Sequence, residues 1–216
     1  MKQAPITYIR WFLAEFLGTG FLAATAAVLI TSAYLGIPGY EYIFIPMLLG
    51  IAIFVLIISL GWVSGAHFNP AITISQALFR KVSLDQAALY VVSQLAGAFV
   101  GVRVANLLLA TTSLSSETSS TAILAGEFIG ALVLSLVVML AVTKRISEQA
   151  APAVISASLV LGLMLSAHTG GGILNPAVAF GLSSFTFTFL LMPVVGAICG
   201  AAFAVLFDET DKASSL

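Results

Sequence analysis

Six apolar runs dominate this chain, and each is close to the about 20 residues that a helix needs to cross roughly 30 Å of hydrocarbon. They are approximately Tyr8 to Thr31, Tyr42 to Gly61, Leu84 to Ala110, Ala122 to Thr143, Pro152 to Ala167 and Thr186 to Phe207, each bounded by charge or turn residues, and the fifth is the shortest. Such runs permit few folds. Lipid offers no partner to a backbone N–H or C=O, and a helix satisfies all of its own within one segment. Only 8% of the 216 residues are charged, against about 25% in soluble domains, so no water-facing surface can be built from them. The expected fold class is an all-α membrane protein. The first run follows Lys2 and Arg10 and is read as a retained span, since five further runs follow it.

Two shorter apolar stretches break the pattern, Asn69 to Phe79 and Asn175 to Phe185. At 1.5 Å per residue each covers roughly 16 Å, half a bilayer. Seven of the eight basic residues (Lys2, Arg10, Arg80, Lys81, Lys144, Arg145 and Lys212) fall on one side of the membrane if the amino terminus is cytoplasmic. The positive-inside rule then puts both termini in the cytoplasm. The other side receives the Ile37-Pro38-Gly39 turn with Glu41, and the Ser/Thr-rich connector Thr111 to Thr121, to which no site is assigned. A net charge of −1 gives no basic stripe for nucleic acid, and the single Cys199 excludes an intrachain disulfide or a redox pair. No His, Asp or Glu cluster has metal-ligand spacing, and no nucleophile with a base converges on one point. No catalytic residue, metal or cofactor is therefore assigned.

The two halves of the chain repeat each other. Ala14-Glu15-Phe16-Leu17-Gly18 answers Gly126-Glu127-Phe128-Ile129-Gly130, Asn69-Pro70-Ala71 answers Asn175-Pro176-Ala177, and Gly97 to Gly101 answers Gly196 to Gly200. Each half has three crossings, an odd number, so copies at approximately 1–110 and 120–208 must be inverted within one transmembrane domain covering 1–216. Paired short helices at corresponding places point to a site at the midplane.

Each Asn-Pro-Ala is a ready helix start, with asparagine as the cap and proline at the first helical position. Asn69 and Asn175 are expected to cap a backbone N–H two or three residues on. Each amide NH₂ then stays free to donate into the space between the halves. The irregular segments leading in, Ser64 to Phe68 and His168 to Leu174, are tolerated at membrane depth only where they are buried or line a wet cavity, and their carbonyls can form a ladder of acceptors. The amino ends of both half-helices, each worth about +0.5 of a charge, would face the same point and repel cations, hydronium included.

Here the chain resembles a known family. Ser64-Gly65-Ala66-His67-Phe68-Asn69-Pro70-Ala71 is similar to the first signature of the aquaporin, or major intrinsic protein, family, and Gly172-Ile173-Leu174-Asn175-Pro176-Ala177 is similar to the second. Glu15, Glu127, Gln94 and the glycine pairs also sit where that family keeps them, so the resemblance covers nearly the whole chain. It implies a homotetramer of six-helix protomers with two reentrant half-helices each, every protomer passing water or small neutral solutes through the lipid bilayer while excluding ions and protons. Ungapped carry-over of the family's outer selectivity filter reaches Leu49, Leu163, Gly172 and Val178. The family usually has an arginine where Val178 stands. A valine there resembles some plant vacuolar-membrane aquaporins, which implies peroxide, urea or ammonia as further solutes. Ala179 stands where the glycerol-conducting branch typically has aspartate, which points toward the water-channel branch.

Glu15 and Glu127 are read as acceptors for the reentrant loops rather than a proton relay, and His67 as a pore-lining or loop-bracing residue. His168 is read as a loop residue. The glycine pairs are expected to let helices cross closely, and Arg103 to snorkel or to pair at a subunit contact. Two other functions share parts of this pattern: a secondary transporter, which would want a spare midplane carboxylate, and a junctional membrane protein with a closed pore.

Overall fold

The computed structural model describes residues 4–33, 40–109, 120–169 and 171–213. The Ile37-Pro38-Gly39 turn and all but the last two residues of the connector Thr111 to Thr121 lie outside the described residues, as do Lys2 and Gly170. Among the described residues the regular structure is helical: α1 (Pro5–Ala33), α2 (Ile45–Ser64), α3 (Pro70–Leu78), α4 (Leu84–Leu109), α5 (Thr121–Val142), α6 (Ala151–Ala167), α7 (Pro176–Gly181) and α8 (Phe187–Ala213), with a π-helical turn at Tyr40–Phe44 before α2. Five of these are long and apolar enough to cross a membrane. The sixth expected span, α6, has 17 residues, the lower end of what a spanning helix needs. An outward-facing apolar belt, with Leu107 82% and Leu108 80% exposed, suits lipid rather than water.

The half-helices are shorter than the apolar stretches that announced them. Helix α7 has six residues and α3 has nine, against about eleven expected for each. Both stop in the same way. Ser183 takes a left-handed φ of 63°, its N–H bonds the Phe180 carbonyl, and the Ser184 N–H reaches back to Ala179. Arg80, with φ 57°, and Lys81 close α3 on Ala77 and Gln76 with the same pair of bonds. This closure satisfies the last carbonyls of a helix and turns the chain, so apolarity persists after the helix has ended.

Helices α1 and α4 pack along each other, as do α5 and α8. Glycines set these crossings: a Cβ on Gly97 would lie 2.1 Å from the Phe16 carbonyl oxygen, and one on Gly196 would lie 2.2 Å from that of Phe128. The close crossing expected of the glycine pairs is therefore present, and it lies inside the bundle. Helix α3 packs on α8 and α7 on α4, so each half-helix is seated against the last helix of the other half. The apolar core from α1, α2, α5 and α6, including Leu22, Leu49, Leu134 and Leu159, faces the space this leaves.

Candidate functional site

That space is a cavity of about 1250 Å³. Ile30 and Tyr42 line one end, and Lys81, Lys144 and Glu148 line the other, so it passes along the length of the bundle. Lys144 donates a hydrogen bond to Glu148, and this contact and its charge hold the Glu148 carboxyl below its usual range.

Both asparagines line this cavity. Asn69 Oδ1 accepts the Ala71 N–H at 2.9 Å, and Asn175 Oδ1 accepts that of Ala177 at 3.0 Å and that of Val178 at 3.4 Å. These are the expected caps. The amides, however, are not wholly free. Asn69 Nδ2 donates to the Leu174 carbonyl and Asn175 Nδ2 to the Phe68 carbonyl, both at 2.9 Å, so each half-helix is tied to the loop of the other half. The expectation of free NH₂ groups is corrected to that extent. A carboxamide has two amide hydrogens, and one on each residue remains for the cavity that both line.

The residues before the asparagines carry unusual backbone. Phe68 and Leu174 have φ of 47° and 54°, the left-handed region that side chains with a Cβ avoid at roughly 1–2 kcal/mol each. Buried carboxylates hold these turns. Glu15 accepts from Ser64 Oγ at 2.6 Å, the His67 and Phe68 N–H groups at 3.0 and 2.8 Å, and Gln94 Nε2 at 2.7 Å. Glu127 accepts from Ser166 Oγ at 2.9 Å and the N–H groups of Gly172, Ile173 and Leu174 at 2.6, 2.9 and 2.7 Å. Each carboxylate has four donors, fits its loop from behind and is fully buried. A group so saturated has little left for a passing proton or ion.

His67 lines the cavity and is half-buried, with Nδ1 3.1 Å from Thr73 Oγ1 and its ring edge-on to Tyr90. Gln94 Nε2 also donates to Thr73 Oγ1 at 2.9 Å, which joins Glu15, Gln94, Thr73 and His67 into one network. Leu49, Leu163, Gly172 and Val178 all line the cavity, and three of them are buried apolar side chains. His168 stands at the carboxyl end of α6, exposed, its ring beside Tyr42 at 4.7 Å. Arg103 lies on the outside of α4 over the Phe99 ring at 4.8 Å. Sequence reasoning did not single out Thr73, Ile72, Gln76 or Leu182. The last three lie three or seven residues after an asparagine that caps a helix, and that spacing was the signal that could have found them.

A sequence model of the family described as Major intrinsic protein matches residues 2–207. Aquaporin NIP3-1 of Arabidopsis thaliana is 29% identical, over 97% of this chain and 71% of its own. Nodulin-26 of Glycine max is 30% identical, over 96% and 81%. Glycerol uptake facilitator protein-like 6 of Lactiplantibacillus plantarum is 31% identical, over 94% of this chain and all of its own. Among solved structures, an aquaglyceroporin from Plasmodium falciparum superposes with a TM-score of 0.66 at 26% identity, covering 94% of this chain and 96% of that one. Both aquaporin and glycerol-facilitator names occur among these relatives, so they do not separate the two branches.

Proposed function

The chain belongs to the major intrinsic protein family, and we propose that its central cavity is the conduction path, with selectivity set by the two asparagine caps and an apolar collar. As a member of that family it is an integral multi-pass membrane protein and a passive channel for water or small neutral solutes. The observation that carries the proposed path is the pair of asparagines lining one cavity, each tied to the opposite loop. Two helix amino ends meet there, and their partial positive charge opposes a cation that must leave its water behind. Neutral molecules do not meet this barrier.

The collar consists of Leu49, Leu163, Gly172 and Val178. Valine in the arginine's place removes a fixed charge and several donors, which frees width but offers a solute little in return for its water. On this reading the permeants extend beyond water to peroxide, ammonia or urea. Glycerol enters the same test, since a relative is named for its uptake. The chain forms a single domain of two inverted copies, with both termini cytoplasmic. Support for that orientation comes from the basic residues of the α3–α4 and α5–α6 connections, Arg80, Lys81, Lys144 and Arg145, which are exposed and share one end of the bundle. It assembles as a homotetramer with one path per protomer, and a monomeric mass in both mild detergent and nanodiscs would contradict this.

The test is light scattering of reconstituted vesicles under parallel gradients of water, glycerol, peroxide, urea and ammonia, alongside proton and potassium currents. Flux of at least one neutral molecule without ion current is expected. In Asn69→Asp and Asn175→Asp a carboxylate replaces a donor beside a carbonyl, and either change is expected to lower neutral flux or admit cations. Wild-type flux and ion exclusion in both variants would refute the asparagines' role.

A further inference from the structure

The half-helices and the residues capping them present matched stripes to the cavity: Asn69, Ile72 and Gln76 on the α3 side, and Asn175, Val178 and Leu182 on the α7 side. Each stripe takes the third and seventh residues after its asparagine, about two turns along one helical face. Ile72, Val178 and Leu182 are buried and apolar, and both asparagines are bonded across to the other loop. Gln76 differs from all of them. It is fully buried, and neither its Nε2 nor its Oε1 has a hydrogen-bond partner among the described residues.

An amide left like this is a penalty unless something answers it, because burial has removed its water and the described residues supply no replacement. Packing does not explain it, since Leu182 fills the matched place on α7 with an apolar side chain of similar length. Leu134, Val138 and Ile155 also line the cavity, and no side chain among the described residues reaches the Gln76 amide. What remains is the molecule passing through the cavity that Gln76 lines, met by a rotation of the side chain, since both amide atoms are closed to a water-sized molecule as they stand. We propose that Gln76 is a solute-contact residue of the α3 half of the path, its carboxamide donating through Nε2 and accepting through Oε1 to a neutral permeant that carries both a donor and an acceptor. Water, hydrogen peroxide and urea are of that class. Beyond Asn69 the α3 stripe has no other polar side chain, so Gln76 supplies the next station at which a solute recovers part of its lost hydration.

This rests on the cavity being the conduction path, and the experiment separates the two. Gln76→Leu copies Leu182, and Gln76→Met keeps the chain length without the amide. Both are compared with wild type in vesicles for water, hydrogen peroxide and urea, and in detergent for thermal midpoint. Each variant is expected to melt at or above the wild-type temperature, because an unanswered polar group has gone. Its permeability to peroxide and urea, relative to water, is expected to fall about fivefold, roughly what one neutral hydrogen bond is worth. If wild type carries water alone, water permeability itself falls at least about twofold on the same ground. Unchanged permeabilities in both variants, with or without a lower melting temperature, would overturn the proposal and leave the conduction path standing. A wild-type protein that passes none of the three, nor glycerol or ammonia, would overturn the path itself, and one that passes only glycerol or ammonia would overturn the assignment of these three solutes to Gln76.

Discussion

The two reentrant segments share a plan and execute it with different chemistry. In the first, the loop between α2 and Asn69 is short, residues 65–68, and side chains of α4 brace it: Gln94 reaches Glu15, and the Tyr90 hydroxyl donates to the Ser64 carbonyl at 2.6 Å. In the second, the connection from α6 to Asn175 is longer, residues 168–174, and the places matched to Tyr90 and Gln94 by distance from Gly97 and Gly196 hold Phe189 and Pro193. Neither has a side-chain donor. Thr73 and Gln76 on α3 likewise face Ala179 and Leu182 as their counterparts on α7. The second half compensates through its backbone, because Glu127 collects three loop N–H groups where Glu15 collects two. A carboxylate acceptor is thus the constant of the design, while the source of its donors is free to change. One half becomes a polar network and the other an apolar shell around a backbone nest.

The sharpest way to break this comparison is to remove the carboxylates. Glu127→Ala strands the three loop N–H groups that its carboxylate holds, and Glu15→Ala strands two together with the Gln94 amide. With charge-assisted bonds worth about 1.5–3 kcal/mol each, both losses are on the order of 4 kcal/mol or more. The difference between them is then in location: hydrogen exchange is expected to accelerate at residues 172–174 in the first variant and at 67–68 in the second. Acceleration at both loops in both variants would mean that the halves are not braced independently.

A smaller effect, on selectivity rather than stability, is expected from Val178→Arg. A guanidinium would narrow the α7 half and restore donors to it, so peroxide and ammonia flux should fall about tenfold while water is kept, the scale of one charge-assisted contact. A solute profile like wild type would show that Val178 does not form the collar. A stability change smaller than that of either carboxylate variant is expected from Gln94→Leu. It takes one donor from Glu15 and one from Thr73, and its cost of roughly 1.5–3 kcal/mol should appear as a lower thermal midpoint. Faster exchange is expected at 67–68 only. The matched place on α8 is already a proline, so any loosening at 172–174 would contradict the division drawn between the halves.

Much of this could be read along the chain. Glu15 and Glu127 stood out because a carboxylate in an apolar run needs several donors, and both were expected to find them in the loops they brace. Asn69 and Asn175 stood out because asparagine is a favoured helix cap and the proline after it suits the first helical position. The second hydrogen bond of each asparagine was not legible, since its acceptor lies 105 residues away for Asn69 and 107 for Asn175. The length of α7 was not legible either. Its apolar stretch runs on to Phe185, but Ser183 adopts a left-handed conformation that its residue type does not announce.

The sequence by itself determined the spanning helices, the two half-length helices and their caps, because each is a local solution: in lipid a backbone must find its partners within its own segment, and run length and cap residues say where it does. The tertiary structure decided everything that depends on a partner from elsewhere. It chose which loop carbonyl each asparagine holds, which side chains of α4 complete the shell of Glu15, and that Gln76 is enclosed with no partner among the described residues while Leu182 needs none. Hydrogen bonds between distant segments follow from how the helices pack, and packing is set by contacts such as the glycine crossings of α1 with α4 and α5 with α8. No single segment encodes these alone.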